Sequence, residues 1–255
     1  DQNPKDLEAF LDALNDKVEI GQDVIVLPGM VADALEAASP FENVHDKLLI
    51  DATSIVATDP RSPDEPLEGS YNQPTPTWRQ QGSASVPFEK VEDVEAIAGV
   101  RQARMLRNNM LVVSTSIEGT PSPRTGQHEG NDSMESERIE NILRLRDAIW
   151  ALDAELNLRW LFITNDDLDM THEKARRRLL WQLTSRFDVG RGLTFDEGRN
   201  RLCWDATTPI PSEEHGVRRW PAVTLHDDET LAKVAAHPEL SKYEWPPHLS
   251  FGGPE

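Results

Sequence analysis

Trp160-Leu161-Phe162-Ile163-Thr164, followed at once by Asn165-Asp166-Asp167-Leu168-Asp169, is the stretch on which the fold turns. An apolar run of strand length, rich in aromatic and branched residues, describes a strand covered on both faces, as in a parallel sheet with helices on either side. Its neighbours agree. Ile139, Ile142, Leu143, Leu145, Ile149, Trp150 and Leu152 fall at helical spacing and mark an amphipathic helix beginning near Ser136. Lys174 to Thr184 predicts a helix that buries Leu179, Leu180 and Leu183. Met110 to Ser114 and Arg201 to Asp205 are two further strands. Strand, helix, strand, helix, strand implies an α/β fold: a layered sheet of mostly parallel strands flanked by helices.

Working outward, Asn3-Pro4 supplies a cap and a first-turn proline for a helix carrying Leu7, Phe10, Leu11, Leu14 and Val18, stopped at Gly21. Val24 to Leu27 is a short strand ended by Pro28-Gly29, and Lys47 to Thr53 a second one. From Thr58 to Pro87 prolines recur without any period, which predicts an extended arm over a surface and no regular structure. Val91 to Ala98 is a short helix, Arg101 to Arg107 a basic patch, and Gly119 to Asn131 a polar loop. A last helix over Glu229 to Ala236 precedes a Pro- and Gly-containing tail.

Composition narrows the function classes. Lys and Arg number 26 against 45 Asp and Glu, a formal charge of −19 over 255 residues. Such a chain has little with which to displace counterions from nucleic acid or to adhere to anionic membranes. At 38 % apolar residues it can build a real core. Its single cysteine, Cys203, excludes an internal disulfide or a Cys-cluster metal site and suits a reducing compartment. No apolar run approaches the ~20 residues of a membrane helix, and no signal segment opens the chain. The expectation is an acidic, soluble, cytoplasmic protein.

The chain also repeats itself. Phe10 to Gly21 aligns without a gap on Leu179 to Gly190: Leu11, Leu14 and Gly21 meet identical residues, Lys17 meets Arg186, Glu19 meets Asp188 and Ile20 meets Val189. Downstream, Asp51-Ala52-Thr53 corresponds to Asp205-Ala206-Thr207, each closing an apolar strand before a Pro-rich loop that leads to a Trp, Trp78 or Trp220. Repeats of this kind dictate architecture. The expectation is that 5–27 and 174–195 adopt the same helix–strand arrangement, and that the first copy lacks the leading helix and strand of the second.

Several residues are candidates for chemistry. Asp166, Asp167 and Asp169 sit where a buried strand gives way to a helix, the place where α/β sheets bind ligands. Asp167 and Asp169 could hold Mg²⁺ or Mn²⁺, as in a sugar-nucleotide transferase; alternatively Asp166 or Asp169 caps the helix. Arg186, Asp188 and Arg191 could clamp a carboxylate or phosphate, or form a structural ion-pair network. Asp51 with Thr53, and Asp205 with Thr207, pair a carboxylate with a hydroxyl at a strand end, suited to satisfying backbone donors in a turn. Trp78 and Trp220, each beside an arginine, are expected at or near an interface. There is no Gly-x-Gly-x-x-Gly, P-loop, Gly-x-Ser-x-Gly or His-Glu-x-x-His, and Cys203 reads as buried filler.

In this order the motifs resemble the C-terminal domain of the UbiD family of carboxy-lyases, the 3-polyprenyl-4-hydroxybenzoate decarboxylases and their relatives. Leu158 to Trp220 is similar to that domain in its acidic strand end, in Leu180-Trp181-Gln182-Leu183, in Ser185-Arg186-Phe187-Asp188-Val189-Gly190-Arg191-Gly192 for the family's Thr-Arg-x-Asp-Pro-x-Arg-Asp, and in Asp205-Ala206-Thr207. Asp23 to Thr53 resembles the same domain's second half. Val189, Gly192 and Pro209 depart from the family's Pro, Asp and Lys, and the family's catalytic Glu-Arg-Glu set has no counterpart here.

The resemblance implies a partial C-terminal-type unit over 1–100, carrying the arm 58–87, and a complete one over 101–255 with an extended tail. It implies an accessory or assembly subunit, or the C-terminal part of a decarboxylase or carboxylase acting on an aromatic or unsaturated acid. No complete catalytic site lies in this chain on that reading. Prenylated FMN with Mn²⁺ and K⁺ would be held by a partner or by a separate catalytic domain. The partner is then a UbiD-type catalytic subunit or a second copy, with neither nucleic acid nor membrane involved. The alternative is the metal-dependent transferase.

Overall fold

A computed structural model describes residues 7–31, 44–52, 87–116, 131–165, 173–217 and 228–237. At its centre is a five-stranded sheet in the order β3-β4-β5-β7-β6. These strands are β3 (Val100–Arg107), β4 (Met110–Thr115), β5 (Trp160–Asn165), β6 (Leu193–Phe195) and β7 (Leu202–Asp205). β4, β5 and β7 are parallel, with Val112 opposite Phe162 and Phe162 opposite Trp204. Both edges are antiparallel, β3 on β4 and β6 on β7. The sheet is therefore mixed: its three inner strands run parallel, as expected, and each edge strand is antiparallel because a short turn and not a helical crossover joins it to its neighbour.

Period-two alternation places the two cores. Met110, Val112, Trp160, Phe162, Leu202 and Trp204 face one way, against α1 (Leu7–Lys17) and α5 (Glu173–Ser185) through Leu14 and Leu183. Leu111, Val113, Leu161, Ile163 and Cys203 face the other way, against α4 (Asp132–Ala151) through Ile142, Leu145 and Ile149, and against α3 (Val91–Glu95) through Val94. β5 is thus buried on both faces, as its composition demands. α4 starts four residues before Ser136, where the Asn131 side chain accepts the Met134 amide at 3.2 Å. α7 (Asp228–Ala236) is the last described element, and among the described residues no helix is long and apolar enough to cross a membrane.

β3 was not evident in the sequence as a strand. Arg101, Arg104 and Arg107, read as a basic patch, lie on an edge strand, where charge is tolerated. Arg107 pairs with Glu8 and Asp12, so one cation of that patch ties α1 to the sheet inside the chain. Burial alone would lower the Arg107 proton affinity, but its hydrogen bonds to Asp12 and Glu8 raise it.

The duplication is visible as geometry. After α1 the chain forms α2 (Ile20–Asp23) and β1 (Val24–Val31); after α5 it forms α6 (Val189–Gly192) and β6. These elements begin at equivalent positions. Glu19 O accepts the Gln22 and Asp23 amides, and the aligned Asp188 O accepts those of Arg191 and Gly192. The flanking backbone agrees as well: φ, ψ are −99°, 106° at Glu19 and −111°, 126° at Asp188. β1 then pairs antiparallel with β2 (Val44–Ile50), as β6 does with β7, and the register matches: Val24 faces Ile50 as Leu193 faces Trp204. The two helices differ one turn earlier, where Leu11 is buried in α1 but Leu179 in α5.

Several boundaries differ from expectation: β2 spans Val44–Ile50 and not 47–53, α3 ends at Glu95 and not at 98, and two further differences have a local cause. Gly21 does not stop α1, which ends at Lys17, but lies inside α2. β1 runs through Pro28-Gly29, because Gly29 at φ +65° takes up the extra residue of a bulge between Leu27 and Met30. The repeats pack reciprocally. A Cβ on Gly21 would stand 3.1 Å from the Arg199 carbonyl in the second repeat, and one on Gly190 2.7 Å from Asp46 Oδ2 in the first. Thr53, the arm 58–87 up to residue 86, and the loop 119–131 up to residue 130 lie outside the described residues.

Candidate functional site: the polar strand ends

The C-terminal ends of β4, β5 and β7 meet where α4 covers one face of the sheet and α5 the other. This edge is where open α/β sheets present ligand-binding groups. It is occupied by a buried polar network. Arg138 of α4 donates through Nε and Nη2 to Glu135 Oε2 and Oε1, both at 2.8 Å, and through Nη1 to Asp205 Oδ2 at 2.8 Å and Thr207 Oγ1 at 2.6 Å. Thr207 in turn donates its amide (2.9 Å) and hydroxyl (2.7 Å) to Asp205 Oδ1. Glu135, with 0 % exposure, also accepts the Ile210 amide at 2.8 Å.

The electrostatics are self-consistent. Burial alone would lower the proton affinity of Arg138, but Asp205 and Glu135 more than reverse this, so the guanidinium is held charged. One cation then serves two carboxylates. The remaining negative charge sits in the first turn of α4, where the helix dipole favours it. Cys203, next to the network in β7, is pushed the other way: burial first, and then the charge of Asp205, raise its thiol. It is a neutral thiol inside the core and no nucleophile.

A second cluster lies on the α5 side. Asn165, closing β5, accepts through Oδ1 from Arg186 Nη1 at 2.9 Å and from the Thr208 amide and hydroxyl at 2.8 and 3.2 Å. Its backbone carbonyl accepts from the Ser114 hydroxyl of β4 at 3.2 Å. The adjacent residues Thr207 and Thr208 are therefore gripped from opposite faces, one by Arg138 and the other, through Asn165, by Arg186. The loop after β7 is fixed by both helical layers at once.

The sequence candidates are distributed as follows. Asp205 and Thr207 are in the network. Arg186 is at Asn165, and its guanidinium also lies 5.1 Å from the Trp181 ring. Asp188 sits apart from it, capping α6 through the Arg191 amide at 3.2 Å and pairing with Arg191 Nε at 3.4 Å. Asp51 continues the β1–β2 ladder, its amide donating to Asp23 O at 2.8 Å. Asp166, Asp167, Asp169, Thr53, Trp78 and Trp220 lie outside the described residues.

Sequence reading missed Glu135 and Arg138. The available signal was the Glu135-x-x-Arg138 spacing, which places the pair on one helix face, on the same side as Ile142 and Ile149. Among the described residues the Arg138 side of the edge is turned inward on itself. The Arg138 donors are spent on Glu135, Asp205 and Thr207, and among the described residues no three His, Cys, Asp or Glu side chains gather as a metal site would require.

Comparison with known proteins gives little. No family model matches the chain, and no curated protein matches it. Among solved structures it is similar to a vanillic acid decarboxylase of Sedimentibacter hydroxybenzoicus in closed form, an enzyme of the UbiD family. The TM-score is 0.37 and the identity 13 %, over 58 % of this chain and 31 % of that one. A likeness this distant carries no argument about activity.

Proposed function

We propose that this chain is an assembly unit of a UbiD-type carboxy-lyase, built from one partial and one complete C-terminal-type unit. The observation that carries the proposal is the inward-turned strand-end network. Where an α/β enzyme would leave polar groups open to substrate, Arg138, Glu135, Asp205 and Asn165 are turned on each other and on the loop after β7. Among the described residues they hold one another and the loop after β7 in place. The ordered run of Asn165, Trp181, Arg186, Asp188 and Asp205-Ala206-Thr207 supplies the family reading.

The reaction served is loss or gain of CO₂ at an unsaturated or aromatic carbon, a proton exchanging for the carboxylate. Prenylated FMN, Mn²⁺ and K⁺ belong on a catalytic polypeptide outside residues 1–255. The test is to purify the chain alone and with a co-expressed UbiD-type catalytic subunit. The expected result is no flavin absorbance and no turnover from the chain alone, with co-purification and decarboxylation in the pair. Stoichiometric flavin with turnover from the isolated chain would refute the proposal.

A further inference from the structure

The two repeats differ in how their second strands are held. β7 is paired on both edges: β6 takes one, and parallel β5 the other, where the Leu202 and Ala206 amides donate to the Arg159 and Ile163 carbonyls, both at 2.8 Å. Its counterpart β2 has β1 as its one strand partner among the described residues. Register identifies the edge left over. Because Asp51 N donates to Asp23 O, and Val24 and Val26 face Ile50 and Leu48, the amides of Leu48, Ile50 and Ala52 point away from β1. They occupy the positions of Leu202, Trp204 and Ala206.

The outer face gives the same result independently. Cys203 is 1 % exposed beneath α4, whereas the equivalent Leu49 is 46 % exposed and its cross-strand partner Ile25 44 %. Arg201 donates to the Trp150 and Asp153 carbonyls at the C-terminal end of α4, at 3.2 and 3.5 Å. Its equivalent, Lys47, lies exposed on the bare face. So the strand, the covering helix and the carbonyls met by the cation are all present around β7, and among the described residues none of the three has a counterpart around β2.

We infer that β2 is completed by a polypeptide from outside residues 1–255: an amphipathic helix followed by an apolar strand, with the chemistry of α4 and β5. The strand runs parallel to β2 and takes the Leu48, Ile50 and Ala52 amides. The helix lies over Ile25 and Leu49 and ends at Lys47, whose charge suits a helix C-terminus. Strand addition at a sheet edge is an established mode of recognition, and an apolar edge left bare invites aggregation. The inference deepens the assembly reading above, but it rests on the internal repeat and not on the decarboxylase likeness.

The test is amide hydrogen exchange on the full chain with a lysine-flanked peptide of sequence Trp160–Asn165 as probe. Saturating peptide slows exchange at Leu48, Ile50 and Ala52 by about tenfold or more. Ile50→Pro removes an outward amide without touching the ladder to β1, so it abolishes binding with the circular dichroism unchanged. Ala52→Pro serves the same purpose should Ile50→Pro unfold the chain. Absence of protection up to the peptide's solubility limit overturns the inference. So does a concentration-dependent dimer abolished by Ile50→Pro, which would mean that β2 pairs antiparallel with a second copy. A chain that turns over substrate alone yet binds the peptide would sink the assembly reading and leave this inference standing.

Discussion

Replacing Arg138 by Met removes the one cation from a pocket holding two carboxylates and keeps most of its volume. Glu135 is then buried with a single remaining partner, the Ile210 amide. Removing one member of a buried ion pair costs about 3–5 kcal/mol. There is also a ceiling, because Glu135 can take up a proton instead of remaining charged. From an ordinary carboxyl near pH 4.3 to pH 7 that uptake costs roughly 3.7 kcal/mol, at about 1.36 kcal/mol per pH unit. The expected loss at pH 7 is therefore about 3–4 kcal/mol, which for a chain of this size lowers Tm by roughly 10 °C.

The sign with pH follows. In the variant the folded state binds a proton that the unfolded state releases, so variant stability is retained below about pH 4.3 and falls as pH rises. The deficit against the parent should shrink by about 2–3 kcal/mol between pH 7 and pH 5. Urea denaturation at the two pH values, followed by far-ultraviolet circular dichroism, measures it. Arg144→Met is the control. That residue pairs with Glu140 on the exposed face of α4, both side chains more than half exposed, and its loss should cost under about 0.5 kcal/mol. An Arg138→Met deficit below about 1 kcal/mol, or one that does not change with pH, would refute the network as described.

Two further outcomes follow from the same geometry. Cys203 should resist thiol reagents at pH 8 in the folded chain and react fully in denaturant, since burial and Asp205 both disfavour its thiolate; fast labelling of the native chain would contradict its place in the core. Gly192→Ala should cost about 1–3 kcal/mol by thermal unfolding, because the added Cβ would lie 2.8 Å from both the Asp205 carbonyl and the Phe187 ring; a neutral result would mean that α6 does not sit against β7.

What was legible in the sequence was what burial writes in a single pattern. Trp160 to Thr164 could be little else than an inner strand, and Ile142, Leu145 and Ile149 little else than the inner stripe of a helix. Asp-Ala-Thr was recognised as a strand end, and the repeat was recognised because Leu14, Gly21 and the residues between them keep their spacing. The edges were obscure. β3 carries an arginine at every third position, 101, 104 and 107, which an edge strand tolerates but which shows no period of two and reads as a charged loop. β6 spans three residues, too few to show a period. Arg138 was hidden because an arginine on a helix is ordinarily solvated; its burial depends on Asp205 and Thr207, more than sixty residues away, which no local pattern encodes.

We propose that this chain carries one unit twice, with the second copy complete and the first awaiting its inner strand. Residue-resolved amide exchange on the chain alone tests this most directly. Leu202 and Ala206, whose amides donate to the Arg159 carbonyl just before β5 and the Ile163 carbonyl within it, should exchange orders of magnitude more slowly than their equivalents Leu48 and Ala52, while the Asp51 amide, bonded to Asp23, stays protected. Equal, strong protection of Leu48, Ile50 and Ala52 in the isolated chain would contradict the account.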